Sequence, residues 1–269
     1  MQKDFEMTSQ NKIRFGQFKS FSKVGFCNAF SCRENGESDI VPGILNLALH
    51  VGDDPEKVIR NRNRFAESIG VDAGRFTTCA QVHGSRVQVV TEELIGSGAF
   101  SYETTIPETD ALITALPDVP LLLFYADCVP VLLADPATGA IGLAHAGWRG
   151  TAAQIAKKTV FAMKKTFGVD PKNMLGAIGP SIGPCCYEVD DAVKENMQDY
   201  NCFFTDKGNG KYWLDLWQVN RRQLTEAGLL AERIFVAGVC TNDNPEQFCS
   251  YRHEKGKTGR MGVCLCRKA

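Results

Sequence analysis

Three stretches of the chain place apolar side chains at helical spacing, and each is followed directly by a glycine. In the first stretch, Asp54 is suited to cap the helix and Pro55 to occupy its first position. A glycine after the last apolar position is a common helix terminator. The pattern therefore predicts helices over residues 54–69, 149–167 and 215–227.

Short runs of β-branched, aromatic and other apolar residues alternate with these helices. The predicted strands cover residues 24–30, 76–82, 86–91, 111–114, 121–125, 129–134, 140–144, 174–178, 234–238 and 261–265. Many neighbouring strands are separated by turns too short for a crossover helix, which favours mixed or antiparallel sheets with helices packed outside. We predict an α+β fold with one domain over residues 25–269 and an N-terminal extension or first strand region over 1–24.

Charge and hydropathy exclude several classes of protein. The 269 residues carry 30 Lys+Arg and 31 Asp+Glu, a net charge of −1, so no strong field favours nucleic acid or an anionic membrane. The longest apolar stretch, 119–134, is interrupted by Asp127 and two prolines and is too short to span a bilayer. The polar N-terminus lacks a secretory pattern. We expect a cytoplasmic protein that binds neither nucleic acid nor membranes.

The eleven cysteines are odd in number and irregularly spaced, which is typical of free thiols in a reducing compartment. Pairs of CxxC motifs with the spacing of a zinc knuckle are absent from the sequence. The neighbours Cys185 and Cys186, and the pair Cys264 and Cys266, are therefore interpreted as structural.

A predicted hairpin brings together two chemically active side chains. Cys128 precedes the strand 129–134, His145 follows the strand 140–144, and the segment 135–139 has the composition of a turn. The midpoint of positions 128 and 145 falls within that turn. Directly opposed residues of such a pair have Cβ atoms about 5 Å apart, so Cys128 is expected to face His145.

Three interpretations of this pair remain open from the residues alone. It could be a nucleophilic Cys–His pair oriented by Asp127 or Asp110. It could be part of a metal site with His83, which we place at the tip of another hairpin, as third ligand; three N/S ligands and a vacant position are typical of catalytic zinc. Alternatively, the histidines are hydrogen-bonded groups beside a buried cysteine.

Seven segments carry a resemblance to a known family. They are NLALHVGDDP (46–55), QVHG (81–84), TDAL (109–112), ADCVP (126–130), AHAGWRG (144–150), IGPSIGPCCY (178–187) and TGRM (258–261). In this order they resemble the YfiH/YlmD family, also labelled multicopper polyphenol oxidase or laccase-domain, which includes the FAMIN protein of animals. The resemblance runs from about Gly25 to the C-terminus.

The resemblance implies a ligand set and a reaction. Family members bind zinc through residues that correspond here to His83, Cys128 and His145. Members are described as purine nucleoside phosphorylases acting on adenosine, inosine, guanosine and methylthioadenosine, with adenosine deaminase activity, and one branch as a peptidoglycan editing factor. Asn46 and Arg62 match family positions implicated in ligand contact.

The laccase label implies copper, and the sequence limits that possibility. A multicopper oxidase needs a blue-copper site and a trinuclear cluster held almost wholly by histidine, whereas this chain has four histidines. We therefore expect Zn²⁺ in one site, which Cu²⁺ could also occupy, and no multicopper chemistry.

Phosphorolysis also needs a phosphate site and a surface for the base. We predict that Arg149 and Arg62 clamp phosphate, beside the N-terminus of the helix that follows Gly147. Phe124, Trp148 and Tyr187 are candidates for stacking on a purine.

The resulting hypothesis is a zinc-dependent purine nucleoside phosphorylase with deaminase capacity, a monomer or homodimer whose partners are small molecules. The first rival is a zinc or cysteine hydrolase of a muramyl-amino acid precursor. The second is a metal-stabilised binding protein, in which Cys185 or Cys186 would close the site as a fourth ligand. His253 is expected not to bind metal, and the roles of Arg252 and Arg260 stay open.

Overall fold

Two β-sheets stacked face to face form the centre of the protein. The computed structural model describes residues 4–269. In spatial order, the first sheet contains β1 (Phe5–Gln10), β2 (Ile13–Phe18), β3 (Phe26–Ser31), β14 (Met261–Arg267) and β6 (Leu121–Tyr125). The second contains β13 (Ile234–Val236), β9 (Leu175–Ile178), β7 (Val129–Ala134), β8 (Ile141–Ala146), β5 (Ala111–Thr114) and β4 (Val87–Val89).

The second sheet is mixed, because β13 pairs with β9 and β4 pairs with β5 in parallel while its other pairs are antiparallel. A small third sheet contains β10 (Glu188–Asp190), β12 (Lys211–Leu214) and β11 (Phe204–Gly208). The helices are α1 (Lys19–Ser22), α2 (Pro55–Ile69), α3 (Trp148–Ala152), α4 (Ile155–Phe167), α5 (Asp191–Glu195) and α6 (Leu216–Glu226). None of the helices in residues 4–269 is long and apolar enough to cross a membrane.

Successive side chains of a strand point to opposite faces of the sheet, and in the central strands β6 and β7 both sets are buried. In β6, Leu121 and Leu123 face the core between the two sheets, while Leu122 and Phe124 join the core beneath α2. In β7, alternate residues likewise enter the central core and the core beneath α4 and α6. The α+β prediction with helices outside is confirmed.

The helices predicted over 54–69 and 215–227 agree with the structure, whereas the helix predicted over 149–167 does not. Asp54 caps α2, and Gly70 ends it with a φ of 66°. The stretch 149–167 was predicted as one helix and is two, because Gln154 adopts a left-handed φ of 61° between α3 and α4. α3 therefore has five residues, too few to present the long helix N-terminus expected beside a phosphate.

Two strand predictions also need correction. Residues 76–82 are extended, but they make isolated bridges from Thr77 and Cys79 to other segments instead of a regular strand. The segment that follows does not fold back on them as a hairpin, because β4 pairs in parallel with β5. His83 therefore lies in a turn between two segments that do not pair with each other, rather than at a hairpin tip.

The hairpin of β7 and β8 is present, with a register shifted from the prediction. Pro130 lies opposite His145, so Cys128 is two positions from direct opposition. The cause is a four-residue turn, because the backbone N–H of Asp135 donates to the carbonyl of Ala140 at 2.9 Å. A shift of two residues keeps a side chain on the same face of the sheet, which is why Cys128 still approaches His145.

Arg62 of α2 is buried, with 1% of its surface exposed. Its guanidinium donates to the carbonyl oxygens of Leu47, Gly98 and Ala99 at 2.6–2.7 Å. A charged donor that satisfies three carbonyls ties α2 to two loops. Arg62 thus has a structural role, which is to hold α2 to these loops.

We expect Arg62→Met to lower the free energy of unfolding by about 3 kcal/mol, because it leaves buried carbonyls without a donor. Arg60→Met on the same helix is the matched control, since Arg60 forms an exposed ion pair with Glu37 and such pairs contribute little. Urea denaturation of both variants measures the difference. Equal losses in the two variants would contradict this structural role.

Candidate metal centre and active site

The candidate site lies at the ends of three neighbouring strands of the second sheet, β7, β8 and β5. β8 runs antiparallel to both β5 and β7. Its carboxyl end, with His145, therefore lies beside the amino ends of its neighbours, which Asp110 and Cys128 precede. Antiparallel pairing thus gathers these residues from distant parts of the sequence.

His83, Cys128 and His145 form a compact group of possible metal ligands. One ligand atom from each side chain lies within 4.8 Å of the other two. His145 is buried, Cys128 is half-buried and His83 is exposed, so the group opens to one side. The two imidazole rings are 4.8 Å apart between centroids and nearly perpendicular.

A buried carboxylate, Asp110, positions both histidines. It accepts a hydrogen bond from Nδ1 of His145 at 2.9 Å. It also accepts from the backbone N–H groups of Val82, His83 and Gly84 at 3.2, 3.0 and 2.7 Å. His83 has a left-handed φ of 58°, and three successive N–H groups around it converge on one anion. Asp110 thus fixes the ring of one histidine and the backbone of the other.

The electrostatics of the group favour a thiolate beside an imidazolium. Burial alone would raise the pKa of Cys128, but the charge of His145 and hydrogen bonds from both histidines lower it to about 6. Burial likewise opposes the charge on His145, while the Cys128 thiolate and the Asp110 carboxylate raise its pKa to about 9. The pair therefore provides an anionic sulfur at neutral pH without an external base.

Of the two carboxylates considered as orienting groups, the structure brings Asp110 to His145. Asp127 has other partners: its carboxylate accepts from the hydroxyl of Thr241 at 2.6 Å and from the backbone N–H of Arg252 at 2.7 Å. Asp127 therefore holds Thr241 and Arg252 against the start of β7, next to Cys128.

Two glycines permit the close approach of the elements that form the site. A Cβ atom on Gly147 would lie 3.0 Å from the sulfur of Cys128 and 3.1 Å from the ring of His83. A Cβ on Gly150 would lie 2.8 Å from the carbonyl oxygen of Gly84. The glycines of AHAGWRG are thus explained by close packing of α3 and the residue before it against the turn that carries His83, residues 81–84, called here the ligand turn.

A cavity of about 550 Å³ lies over the group. The three aromatic residues predicted to stack on a base all line it: Phe124, Trp148 and Tyr187. Three arginines line it as well, each with its guanidinium over an aromatic ring: Arg149 on Trp148, Arg252 on Tyr187 and Arg260 on Tyr251. The cavity thus offers flat apolar surfaces and positive charge together.

The predicted ligand-contact residues divide into two groups. Arg149 lies in the cavity wall, with its guanidinium over the ring of Trp148. Arg62 lies behind the cavity wall, with its guanidinium 4.9 Å from the centre of the Phe124 ring. Its N–H groups already donate hydrogen bonds to backbone carbonyls. This placement does not support the phosphate clamp expected of Arg62. Asn46 is buried and accepts from the backbone N–H of Arg260, so it supports the wall from behind.

Sequence reasoning missed His50 as a residue of the cavity. Its ring packs near Tyr102 and Phe124. Burial and the charges of Arg260 and Arg62 lower the pKa of His50 to about 4, so it is neutral at pH 7. Its place in the first of the seven family segments was the available signal. His253 is exposed and is not part of the cavity wall.

The donor set fits a catalytic type of metal site. A carboxylate on Nδ1 of His145 leaves Nε2 for coordination, which is the usual arrangement around histidine ligands. Two nitrogens and one thiolate suit Zn²⁺ or copper, and the open side leaves room for a further ligand. Cys185 and Cys186 do not close this site, because they group with Cys240 and Asp243 instead.

The family model described as multi-copper polyphenol oxidoreductase laccase matches residues 27–268. The purine nucleoside phosphorylase YlmD of Geobacillus stearothermophilus is 40% identical over 250 residues, 91% of each chain. The purine nucleoside phosphorylase YlmD of Bacillus subtilis is 37% identical over 236 residues, 86% of this chain and 85% of the relative.

Solved structures agree. The crystal structure of YlmD from Geobacillus stearothermophilus has a TM-score of 0.94 at 36% identity, covering 99% of this chain and 100% of the other. That of YfiH from Bacillus licheniformis has a TM-score of 0.91 at 36% identity, covering 94% and 96%. The resemblance inferred from the seven segments is confirmed, and the chain belongs to the YfiH/YlmD family, whose model carries the laccase description.

Proposed function

We propose that this protein is a zinc-dependent purine nucleoside phosphorylase with adenosine deaminase activity. Its substrates would be phosphate and adenosine, inosine, guanosine or methylthioadenosine. The observation that carries the proposal is a His–Cys–His donor set beneath a cavity walled by aromatic rings and arginines. The names of the relatives, purine nucleoside phosphorylase, support the reaction class.

Phosphorolysis forms a bond between a phosphate oxygen and C1′ of the ribose, breaks the N-glycosidic bond and leaves a proton on the departing base. In this cavity, Arg149 would bind phosphate, because its guanidinium can hold two oxygens at once. Phe124, Trp148 and Tyr187 would hold the purine between flat surfaces. Neutral His50 would place an uncharged polar ring beside them.

Asp110 would keep the ligand histidines in position throughout the reaction. When bound, Zn²⁺ at His83, Cys128 and His145 would supply Lewis-acid polarisation and, for deamination, a lower pKa for water. Cys128 would then serve as a ligand thiolate. The same donors would accept Cu²⁺, which generally binds such sites more tightly.

The size of the cavity favours a nucleoside over the rival substrate. About 550 Å³ lies in the usual range for a small-molecule site. A nucleotide-linked muramyl precursor needs a longer groove with several further basic contacts. The muramyl hydrolase therefore ranks second.

The first test compares wild-type protein of known zinc content with His83→Ala and Cys128→Ala. We expect phosphate-dependent release of base and ribose 1-phosphate by wild type, and a loss of more than about 100-fold in kcat/KM with the loss of zinc. Chromatography follows the products, including inosine formed from adenosine without phosphate. His253→Ala is the control and should keep both zinc and activity.

Full turnover by zinc-free Cys128→Ala would contradict the metal-site assignment. If zinc-loaded wild type turns over none of the nucleosides, the phosphorylase proposal is wrong, and the muramyl precursor is the next substrate to assay.

We expect Asp110→Asn to weaken zinc binding by about 10- to 100-fold. An amide has one acceptor oxygen and turns a donor group toward the four N–H groups that converge on the carboxylate. Competition with a zinc chelator measures the affinity. Asp135→Asn is the control, because it also alters a buried carboxylate that accepts several hydrogen bonds, but in the distant β7–β8 turn. Equal affinities for the two variants would refute the role of Asp110.

We expect Arg149→Lys to raise the KM for phosphate by about tenfold and to change the KM for nucleoside less, because lysine cannot bind two oxygens in a fork. Arg222→Lys, an exposed arginine of α6 paired with Glu226, should leave both constants unchanged. Steady-state kinetics at varied phosphate give the comparison. An unchanged phosphate KM in Arg149→Lys would remove Arg149 from the phosphate site.

A further inference from the structure

A second group of ligand-type side chains lies outside the cavity. Cys185, Cys186, Cys240 and Asp243 each place one sulfur or carboxylate oxygen within 4.8 Å of the others. They come from two loops, the glycine- and proline-rich segment that follows β9 and the segment that follows β13. The four residues are separate from His83, Cys128 and His145, and none of them lines the cavity.

The contacts inside this group converge on one carboxylate. The thiol of Cys185 donates to one oxygen of Asp243 at 3.0 Å, and the thiol of Cys186 donates to the other oxygen at 2.9 Å. The third sulfur, on buried Cys240, accepts the backbone N–H of Gly183 at 3.2 Å. An N–H group aimed at sulfur stabilises negative charge there, as hydrogen-bond donors do around metal-bound thiolates.

The backbone around the group is already held in register. Ser181 and Cys240 form a parallel bridge. The N–H of Ser181 donates to the carbonyl of Val239, and that of Thr241 donates to the carbonyl of Ser181. The two loops that carry the three sulfurs are therefore held against each other by backbone hydrogen bonds.

We propose that Cys185, Cys186, Cys240 and Asp243 form a second metal site, a thiolate-rich structural site for Zn²⁺. Three sulfurs and one oxygen give the four ligands of a closed tetrahedral site. Binding of Zn²⁺ displaces the three thiol protons to solvent, forms three zinc–sulfur bonds, and leaves an Asp243 oxygen as the fourth ligand. No electron transfer is involved.

The site would fix one wall of the cavity. Ile182 and Tyr187, on either side of the cysteine pair, both line the cavity. On the other loop, Thr241 next to Cys240 donates to Asp127, which also holds the backbone of Arg252. A metal clip between the two loops thus keeps Tyr187 and Arg252 in place without contacting substrate.

The test uses the full-length, reduced, metal-free protein titrated with Co²⁺ as a spectroscopic substitute and with Zn²⁺ for stoichiometry. Wild type should bind two equivalents. The double variant Cys185→Ser, Cys186→Ser should bind one equivalent and lose most of the sulfur-to-cobalt charge-transfer absorption, since only one thiolate remains as ligand. His83→Ala should also bind one equivalent but keep most of that absorption. Cys202→Ser, an exposed cysteine outside both groups, should match wild type.

A second measurement needs no variant. Zn²⁺ should protect Cys185 and Cys186 from alkylation at least tenfold more than it protects Cys202, as read by mass spectrometry of the labelled peptides. Unchanged stoichiometry in the double variant, or equal alkylation of Cys185 and Cys186 with and without zinc, would each overturn the proposal. These outcomes do not depend on turnover, so they are distinguishable from a failure of the phosphorylase proposal.

Discussion

The carboxylate of Asp110 is the interaction on which the candidate site depends. It is buried, and burial raises the pKa of a carboxyl group, yet the hydrogen bond and charge of His145 and the backbone N–H groups of the ligand turn lower the pKa of Asp110 below its ordinary value. An ionised group in this place is stable because each oxygen meets donors. It also orders the site, since the turn that carries His83 closes around it.

The sheets make that arrangement rigid. Asp110 directly precedes β5 and His145 lies in β8, two paired strands whose faces are buried on both sides. The ligand turn is further tied to β6, because the amide of Gln81 donates to the carbonyl of Phe124 and its oxygen accepts the N–H of Phe124, both at 2.9 Å. Ligands supported in this way are held before metal or substrate binds, which lowers the ordering cost of binding.

The ligand side chains of His83, Cys128 and His145 are compatible both with the laccase description of the family and with the proposed zinc chemistry. Two imidazoles and a thiolate form a set that zinc and copper both accept. A trinuclear copper cluster needs many further imidazoles, and the remaining histidines of the chain are His50 and His253. His50 packs against aromatic rings and His253 is exposed, so neither extends the group around Cys128.

The sequence by itself determined the features that depend on neighbouring residues. Caps at Asp54 and Gly70 marked α2, alternation marked the central strands, and the turn after Ala134 placed Cys128 near His145, to within two residues of register. Tertiary structure decided the rest, because those contacts join segments far apart in the chain. Cys240 and Asp243 meet the cysteine pair across more than 50 positions, and Arg62 became a scaffold residue because distant carbonyls take up its donors. No local pattern encodes which buried polar groups a folded chain will bring face to face.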